Sequence, residues 1–348
     1  MDRVAHLSDP ERRELFQETA SRKGMTAAVV EKDFWVCWVL GRVFQAPTLQ
    51  DKLLFKGGTS LSKVFGLIER FSEDIDLILN LTEVGGAAAV GPQSSRDRRD
   101  EAAAQIRERN RDYLRLRLVP ELESLLGERC SVTLDSGAGG RDASHPEAIH
   151  LGYPAAFAGS YLRPEILLEV SPLALWLPHG DYEITPYAAE VFPEQFNQAS
   201  CPVRAILAER SFWEKATILH VLAHLPEGKS VPPRHSRHLY DLARMAQAPV
   251  RAQALIRLEL LREVADFKLT YYAQTAARFD LARDPGTLRL VPDERALKEL
   301  ARDYQAMREM FYGSQLPFGE VVDILRDLES EIHALPDQGQ YASRGTAG

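Results

Sequence analysis

The spacing of apolar residues divides the chain into two parts with different patterns. Up to about residue 200, short apolar runs such as 53–55, 148–152 and 164–170 are separated by charged or glycine-rich stretches, which is typical of strands. From Pro202 onward apolar residues recur every three or four positions, which predicts helices at about 203–225, 236–247, 250–263, 293–311 and 318–334. The predicted organisation is an α/β domain over 1–200, a helical domain over 201–335 and a flexible tail over 336–348.

Helical segments are also predicted within the first part. Residues 1–24 are charged and predict a short polar helix on the surface. Thr26 is a suitable N-cap for a helix that continues to about residue 44, and its broad apolar face predicts deep burial. A charged stretch over about 96–126 predicts a long helix with a kink at Pro120. Residues 131–134 and 148–152 predict strands around a glycine-rich turn at 137–140, and 182–191 contains another short extended stretch.

Two aspartates on a predicted strand are the strongest candidates for chemistry. Asp74 and Asp76 are two residues apart in the apolar run 74–81, so both carboxylates would lie on one face of a strand. Neighbouring carboxylates repel each other unless a cation lies between them, and Mg²⁺ or Mn²⁺ is the usual partner of oxygen ligands. The alternative is a solvated acidic strand that follows a hairpin-like turn.

A glycine-rich turn precedes these aspartates. The segment Gly57-Gly58-Thr59-Ser60 ends the run 53–55, and apolar residues then recur at helical spacing over 60–69. A turn that opens a helix presents free backbone N–H groups, which can hold phosphates. Lys63 follows one helical turn later and is a candidate for phosphate binding. A metal site beside a phosphate-binding turn indicates nucleotidyl transfer.

A third carboxylate is expected near the two aspartates, because a pair of metal ions on a triphosphate usually needs a further acidic ligand from a neighbouring strand. Glu169 is one candidate, near the end of the apolar run 164–170. Glu165 shares its face because it lies four residues away on the same predicted strand. Either residue could instead lie at a strand edge, so the spacing leaves both open.

Charged residues also occur on two apolar helices of the second part. Lys215 and Asp241 each lie among apolar neighbours. A buried ammonium needs either an acid or a phosphate as its partner. Lys215 and Asp241 could form a buried ion pair, or Lys215 could contact the triphosphate while Asp241 orients it, and the two interpretations are compatible. Near the N-terminus, 31–33 (Glu-Lys-Asp) is predicted to be the charged first turn of a solvated helix.

The overall composition limits the class of protein. A formal net charge of −8 argues against a protein that coats nucleic acid, although Arg107, Arg111 and Arg115 would form a basic stripe on the predicted charged helix. No apolar run is long enough for a transmembrane helix, and the first residues lack the apolar core of a signal peptide. The three cysteines form neither a disulfide nor a metal pattern. We therefore expect a cytoplasmic protein.

Two segments resemble the polymerase-β-like nucleotidyltransferases and, more closely, the AbiEii/AbiGii toxin family: Phe55-Lys56-Gly57-Gly58-Thr59-Ser60-Leu61-Ser62-Lys63 and Arg70-Phe71-Ser72-Glu73-Asp74-Ile75-Asp76-Leu77. The resemblance implies an α+β fold whose polymerase-β-like core is a mixed sheet flanked by helices, followed by a C-terminal helical bundle. It implies Mg²⁺ or Mn²⁺ as cofactor and favours Glu169 as the third ligand. It also places Lys215 and Asp241 in the active site, although His238 stands where an acid is common in relatives.

The same resemblance implies a function. Family members are the toxin halves of toxin–antitoxin pairs, so the expected activity is transfer of a nucleoside monophosphate from a nucleoside triphosphate to an RNA. The implied acceptor is a tRNA 3′ end, the implied outcome is blocked translation, and the implied partner is a cognate antitoxin. No membrane partner is expected, because no apolar run is long enough to span one. The alternatives are transfer to a protein or a small molecule, and a non-catalytic binding protein of the same fold.

Overall fold

The computed structural model describes seven stretches of the chain: 1–72, 74–86, 90–135, 148–157, 163–272, 275–313 and 315–335. The glycine-rich turn predicted at 137–140 and the tail predicted at 336–348 lie outside the described residues. The chain forms two compact units, of which the first comprises 1–88 with 102–207 and the second comprises 89–101 with 208–348.

A mixed sheet of seven strands forms the centre of the first unit as far as the chain is described. Its strands are β1 Leu53–Lys56, β2 Asp74–Leu79, β3 Ser131–Leu134, β4 Ala148–Gly152, β5 Glu165–Ser171, β6 His179–Ile184 and β7 Cys201–Ile206. Their order across the sheet is β3-β4-β5-β2-β1-β7-β6. Strand β2 runs antiparallel to β1 and parallel to β5, so it is hydrogen-bonded on both sides.

The two faces of the sheet differ in polarity, as the alternating pattern of β2 predicts. Ile75, Leu77 and Leu79 point into the main hydrophobic core, where they pack with apolar residues of the neighbouring strands and of a long helix. The opposite face of the same strand carries Asp74 and Asp76, which are only partly buried. The carboxylates therefore lie on the face that the main core does not cover.

Helices of the first unit flank this sheet. They are α1 Asp2–Ala5, α2 Asp9–Lys23, α3 Ala27–Gln45, α4 Gly57–Lys63, α5 Arg96–Tyr113, α6 Val119–Leu126 and α7 Tyr187–Val191, and the first residues of α5 belong to the second unit. Thr26 caps α3 as predicted, since its side chain accepts the N–H of Val29. The α5–α6 segment contains a π-helical turn at Leu114–Leu118, immediately before Pro120, where the sequence predicted a kink.

Two sequence predictions in the first unit are wrong in detail. Residues 201–206 form strand β7 rather than the start of a helix, because they pair with both β6 and β1. The polar helix at the N-terminus is not simply a surface element, since Arg12 and Phe16 of α2 are buried. Tertiary pairing decides such short segments, where local propensity is weak.

The second unit is helical among its described residues. Its helices are α8 Ala208–Ala223, α9 Ser236–Ala246, α10 Val250–Leu255, α11 Leu258–Tyr271, α12 Phe279–Ala282, α13 Glu294–Ala306 and α14 Phe318–His333. The single helix predicted at 250–263 is instead two, α10 and α11. With this sheet and these helices, the predicted α+β architecture is confirmed. No described helix is both long and apolar enough to span a bilayer.

His220 of α8 is buried in the second unit and is held as a neutral imidazole. Its Nδ1 accepts the backbone N–H of Arg289 at 3.0 Å, and its Nε2 lies 3.0 Å from the carbonyl oxygen of Arg278. Since Nδ1 is an acceptor, the proton of the ring is on Nε2. Burial, together with the nearby His224, lowers the pKa of His220 to about 4.

The free energy of unfolding should therefore fall as the pH decreases from 6.5, the ordinary pKa of histidine, towards 4. The unfolded chain binds the proton first because its histidine has the higher pKa, so this group costs at most about 3 kcal/mol at the acid end of that window and nothing above it. Urea unfolding at pH 8, 6 and 5 would measure how the free energy of unfolding depends on pH. In His220→Gln the decrease between pH 6.5 and 4 that His220 causes should disappear. The control is His6→Gln, at an exposed histidine, which should keep that decrease.

Candidate active site

Three acidic residues lie on the polar face of the sheet. Asp74 and Asp76 project from β2 to this face, and the parallel register pairs Asp76 with Glu169 of β5. Residues paired in register on adjacent strands point to the same side, with strand axes about 4.8 Å apart. The structure thus places Glu169 directly beside Asp76, whereas Glu165 is paired with Gly152 of β4 further along the strand.

Two glycines allow the first turn of α4 to approach β2 closely. Gly57 has a φ of +81°, and a Cβ at this position would lie 1.9 Å from Oδ2 of Asp76. A Cβ on Gly58 would lie 2.8 Å from the guanidinium of Arg70 and 2.9 Å from Oγ of Ser72. Any side chain at residue 57 would therefore displace the carboxylate of Asp76, so the glycine is what permits the observed position of that carboxylate.

The hydroxyl groups of the turn hold it in place. Thr59 donates to the carbonyl oxygen of Asp74 at 2.6 Å and thereby connects α4 to β2, and Ser60 donates to the carbonyl oxygen of Gly57 at 2.9 Å. Both residues are buried. Their side chains are thus used within the fold, which leaves the backbone N–H groups of 57–60, in the first turn of α4, as the groups suited to phosphate. Helix α4 begins at Gly57 and ends at Lys63, so the helical spacing predicted to 69 is wrong beyond that point.

Lys63 is engaged in a buried ion pair. Its ammonium lies 2.8 Å from Asp33 of α3, and the two side chains are only 5% and 3% exposed. Burial by itself lowers the pKa of Lys63, but the carboxylate of Asp33 outweighs that effect and the pKa is raised. Asp33 also accepts the N–H of Tyr187 at the start of α7, and the ammonium lies over the Tyr187 ring. This network accounts for the charge of Lys63 without a nucleotide.

The start of α3 differs from its prediction as a solvated charged turn. Glu31, Lys32 and Asp33 are all buried. Glu31 accepts the backbone N–H groups of Ala156 and Phe157 and so fixes the segment that follows β4. The apolar run that follows Asp33 was the available signal for burial. The sequence could not show which cation Asp33 contacts, because Lys63 lies on a different helix.

The donor set suits a hard divalent cation. Asp74, Asp76 and Glu169 offer only carboxylate oxygens, which Mg²⁺ and Mn²⁺ prefer. Within the described residues, no three acid, histidine or cysteine side chains are already arranged as a metal site. The backbone register brings the three acids to one face, and metal binding would have to draw their side chains together.

Lys215 and Asp241 form an ion pair inside the second unit. The ammonium of Lys215 on α8 lies 2.9 Å from the carboxylate of Asp241 on α9, with the side chains 9% and 0% exposed. Nδ1 of His238, also on α9, lies 3.2 Å from the same ammonium. The predicted ion pair is confirmed. A contact of Lys215 with a triphosphate stays a prediction.

Comparisons with known proteins give one family. The family model described as nucleotidyl transferase AbiEii toxin, type IV toxin–antitoxin system, matches residues 38–325. Among solved structures, the chain is similar to MenT4, a nucleotidyltransferase toxin from Mycobacterium tuberculosis, with 16% sequence identity and a TM-score of 0.51 over 96% of this chain and 92% of that one. It is also similar to JHP933 from Helicobacter pylori, with 12% identity and a TM-score of 0.45 over 91% and 97%. The likeness to MenT4 shows a shared fold. No curated protein matches the chain.

Proposed function

The chain belongs to the AbiEii family of nucleotidyltransferase toxins of type IV toxin–antitoxin systems, and from this we propose that it transfers a nucleoside monophosphate from a nucleoside triphosphate to the 3′ end of an RNA. We take tRNA as the acceptor, with blocked translation as the outcome and a cognate antitoxin as the partner that prevents it. A tRNA acceptor would place the reaction in the cytoplasm. The proposal rests on one observation: strand pairing places Glu169 beside Asp76, and Asp76 lies against the turn at Gly57.

In the proposed mechanism the chain holds and orients both substrates. Asp74, Asp76 and Glu169 would hold the metal, and the backbone N–H groups of 57–60 would bind the phosphates of the nucleotide. Bound there, Mg²⁺ or Mn²⁺ would polarise the α-phosphate and neutralise charge on the leaving pyrophosphate. The acceptor hydroxyl attacks the α-phosphorus in line as the bond to pyrophosphate breaks, and its proton passes to solvent. A contact of Lys63 with the phosphates stays a prediction, since its ammonium is already paired with Asp33.

A labelling experiment tests this proposal. The purified chain is incubated with each of the four labelled nucleoside triphosphates, Mg²⁺ and total RNA, with and without RNase treatment afterwards. We expect a labelled RNA band with one preferred nucleotide, and sequencing of the RNA 3′ ends would identify the added residue. A labelled band that survives RNase would indicate a protein or small-molecule acceptor. No label under any condition would favour a non-catalytic binding protein.

The predicted catalytic role of Lys215 and Asp241 can be separated from their structural role. We propose that Lys215 contributes positive charge to the phosphates of the nucleotide while Asp241 orients it, and both residues lie within the matched range of the family. Lys215→Met alone leaves a buried carboxylate without its cation and should cost about 3–5 kcal/mol of stability. The double variant K215M/D241L should recover most of that stability, because neither charge then remains buried.

Transfer activity then decides between the two roles. If Lys215 acts on the nucleotide, K215M/D241L should be folded but inactive; recovery of activity together with stability would mean that the pair is only structural. Arg210 provides a matched control, since it is a buried cation on the same helix that pairs with Glu263. Arg210→Met should lower the free energy of unfolding without a specific loss of transfer at temperatures where the protein stays folded.

A further inference from the structure

The polar face of the sheet extends beyond the three carboxylates. Strand β4 pairs with β5 on the side away from β2, and its register places Ala148 opposite Glu169 and His150 opposite Leu167. Leu167 in turn is paired with Asp74 of β2. His150 therefore projects from the same face as Asp74, about 10 Å away across two strand spacings.

Glu165 holds the imidazole of His150 in one orientation. Nδ1 of His150 lies 3.2 Å from Oε2 of Glu165, and the side chains are 28% and 32% exposed. A carboxylate only accepts hydrogen bonds, so Nδ1 carries the proton in this pair and Nε2 is the acceptor of a neutral ring. Arg163 lies 3.6 Å from the other carboxylate oxygen of Glu165. Glu165 thus has two basic neighbours and acts as the group that orients His150.

The position of His150 relative to the glycine turn indicates which substrate it would meet. Helix α4 and its Gly57 turn adjoin β1 and β2, whereas His150 lies on the other side of β5. In the proposed reaction the nucleotide occupies the glycine side and the attacking hydroxyl comes from the opposite side, since attack and departure are in line. With the nucleotide on the glycine side, the acceptor would approach over β5 and β4.

We propose that His150, oriented by Glu165, binds the terminal ribose of the acceptor and accepts a hydrogen bond from its 2′-hydroxyl at Nε2 while the neighbouring 3′-hydroxyl attacks. This inference rests on the proposed function and adds to it the basis on which an RNA end is distinguished from a DNA end. The 2′-hydroxyl distinguishes the two, and a protein acceptor atom can read it directly. His150 acts here as a specificity residue and takes no part in the chemistry.

The test combines a change in the protein with a change in the acceptor. Wild type, His150→Ala and Glu165→Leu are assayed with an RNA that ends in ribose and with the same RNA ending in 2′-deoxyribose. We expect wild type to prefer the ribose end by about tenfold in kcat/KM, because a tenfold ratio corresponds to the net free energy of about one hydrogen bond. Both variants should lose this preference through a higher KM for the ribose-ended acceptor, with the KM for the nucleotide unchanged. His179→Ala is the matched control, because His179 is on the same sheet at β6 and should leave the preference intact.

Each outcome bears on a different claim. If wild type labels RNA but His150→Ala still prefers the ribose end by the same factor, this inference is wrong and the proposed function stands. A rise in the KM for the nucleotide instead of the acceptor would also overturn it, since His150 would then lie on the nucleotide side. If wild type labels no RNA, both the inference and the RNA acceptor of the proposed function are overturned together.

Discussion

Asp76→Asn is expected to reduce nucleotidyl transfer by about 10³-fold or more, because it removes a charged oxygen from the group that would hold the metal, and metal stabilisation of the transition state is worth several kcal/mol. Asn has the same shape as Asp and the site is only partly buried, so the fold should be retained. The measurement is single-turnover transfer of labelled nucleotide with saturating Mg²⁺. The circular dichroism spectrum and melting temperature of the variant are recorded alongside.

A suitable control for this variant is Asp181→Asn. Asp181 lies on β6 of the same sheet, where it forms an exposed ion pair with Arg204. Loss of such a surface pair costs little stability, so this variant should transfer nucleotide at the wild-type rate. If Asp76→Asn retained transfer to within tenfold of Asp181→Asn, the assignment of the active site to the β2 acids would have to be abandoned.

Gly57→Ala is expected to have the second-largest effect, at least a 100-fold loss of transfer. The new Cβ would lie 1.9 Å from Oδ2 of Asp76, so the carboxylate must move, and misplacing a reacting group by about 1 Å can cost about 10²-fold. The left-handed backbone at φ +81° adds a cost of about 1–2 kcal/mol for any residue with a Cβ. Transfer and urea unfolding are measured on the same preparations.

A variant at Gly66 is the control that distinguishes the effect of backbone strain from the effect of displacing Asp76. Gly66 has a φ of +61°, yet a Cβ placed there meets nothing within 4 Å. Gly66→Ala should therefore lose a similar amount of stability while it keeps wild-type transfer. Equal losses of transfer in Gly57→Ala and Gly66→Ala would mean that strain, and not the position of Asp76, explains the effect.

The sequence pattern of apolar and acidic residues predicted β2 correctly, because both the apolar alternation and the spacing of the two aspartates are local features. The alternation of Asp74 and Asp76 with Ile75 and Leu77 can be seen without knowledge of other strands, and the core does bury the apolar residues. Strands β3 and β4 were predicted with their observed bounds for similar reasons. Strand β7 was missed because its six-residue, largely apolar pattern also fits the start of a helix, and only its pairing with β1 and β6 distinguishes the two.

The partners of the charged residues were harder to predict than the elements. The position of Lys63 after the glycine turn predicts a phosphate ligand, and this stays a prediction; its ion pair with Asp33, which comes from an earlier helix, could not be predicted. The choice between Glu165 and Glu169 was open on spacing alone, because both lie on the same face of β5. The pairing of β5 with β2, which is distant in sequence, places Glu169 beside Asp76. Glu165 instead contacts His150 of β4.

The sequence by itself determined the order of the motif: a glycine turn, a short helix and a strand with two carboxylates on one face. These features depend on residue types at fixed local spacing, so they can be recognised from the sequence without a structure. Only the tertiary structure decided which residues meet across the sheet, because strand register and helix packing bring together positions far apart in the chain. The contact between Gly57 and Asp76, and the pairing of Asp76 with Glu169, follow from that register.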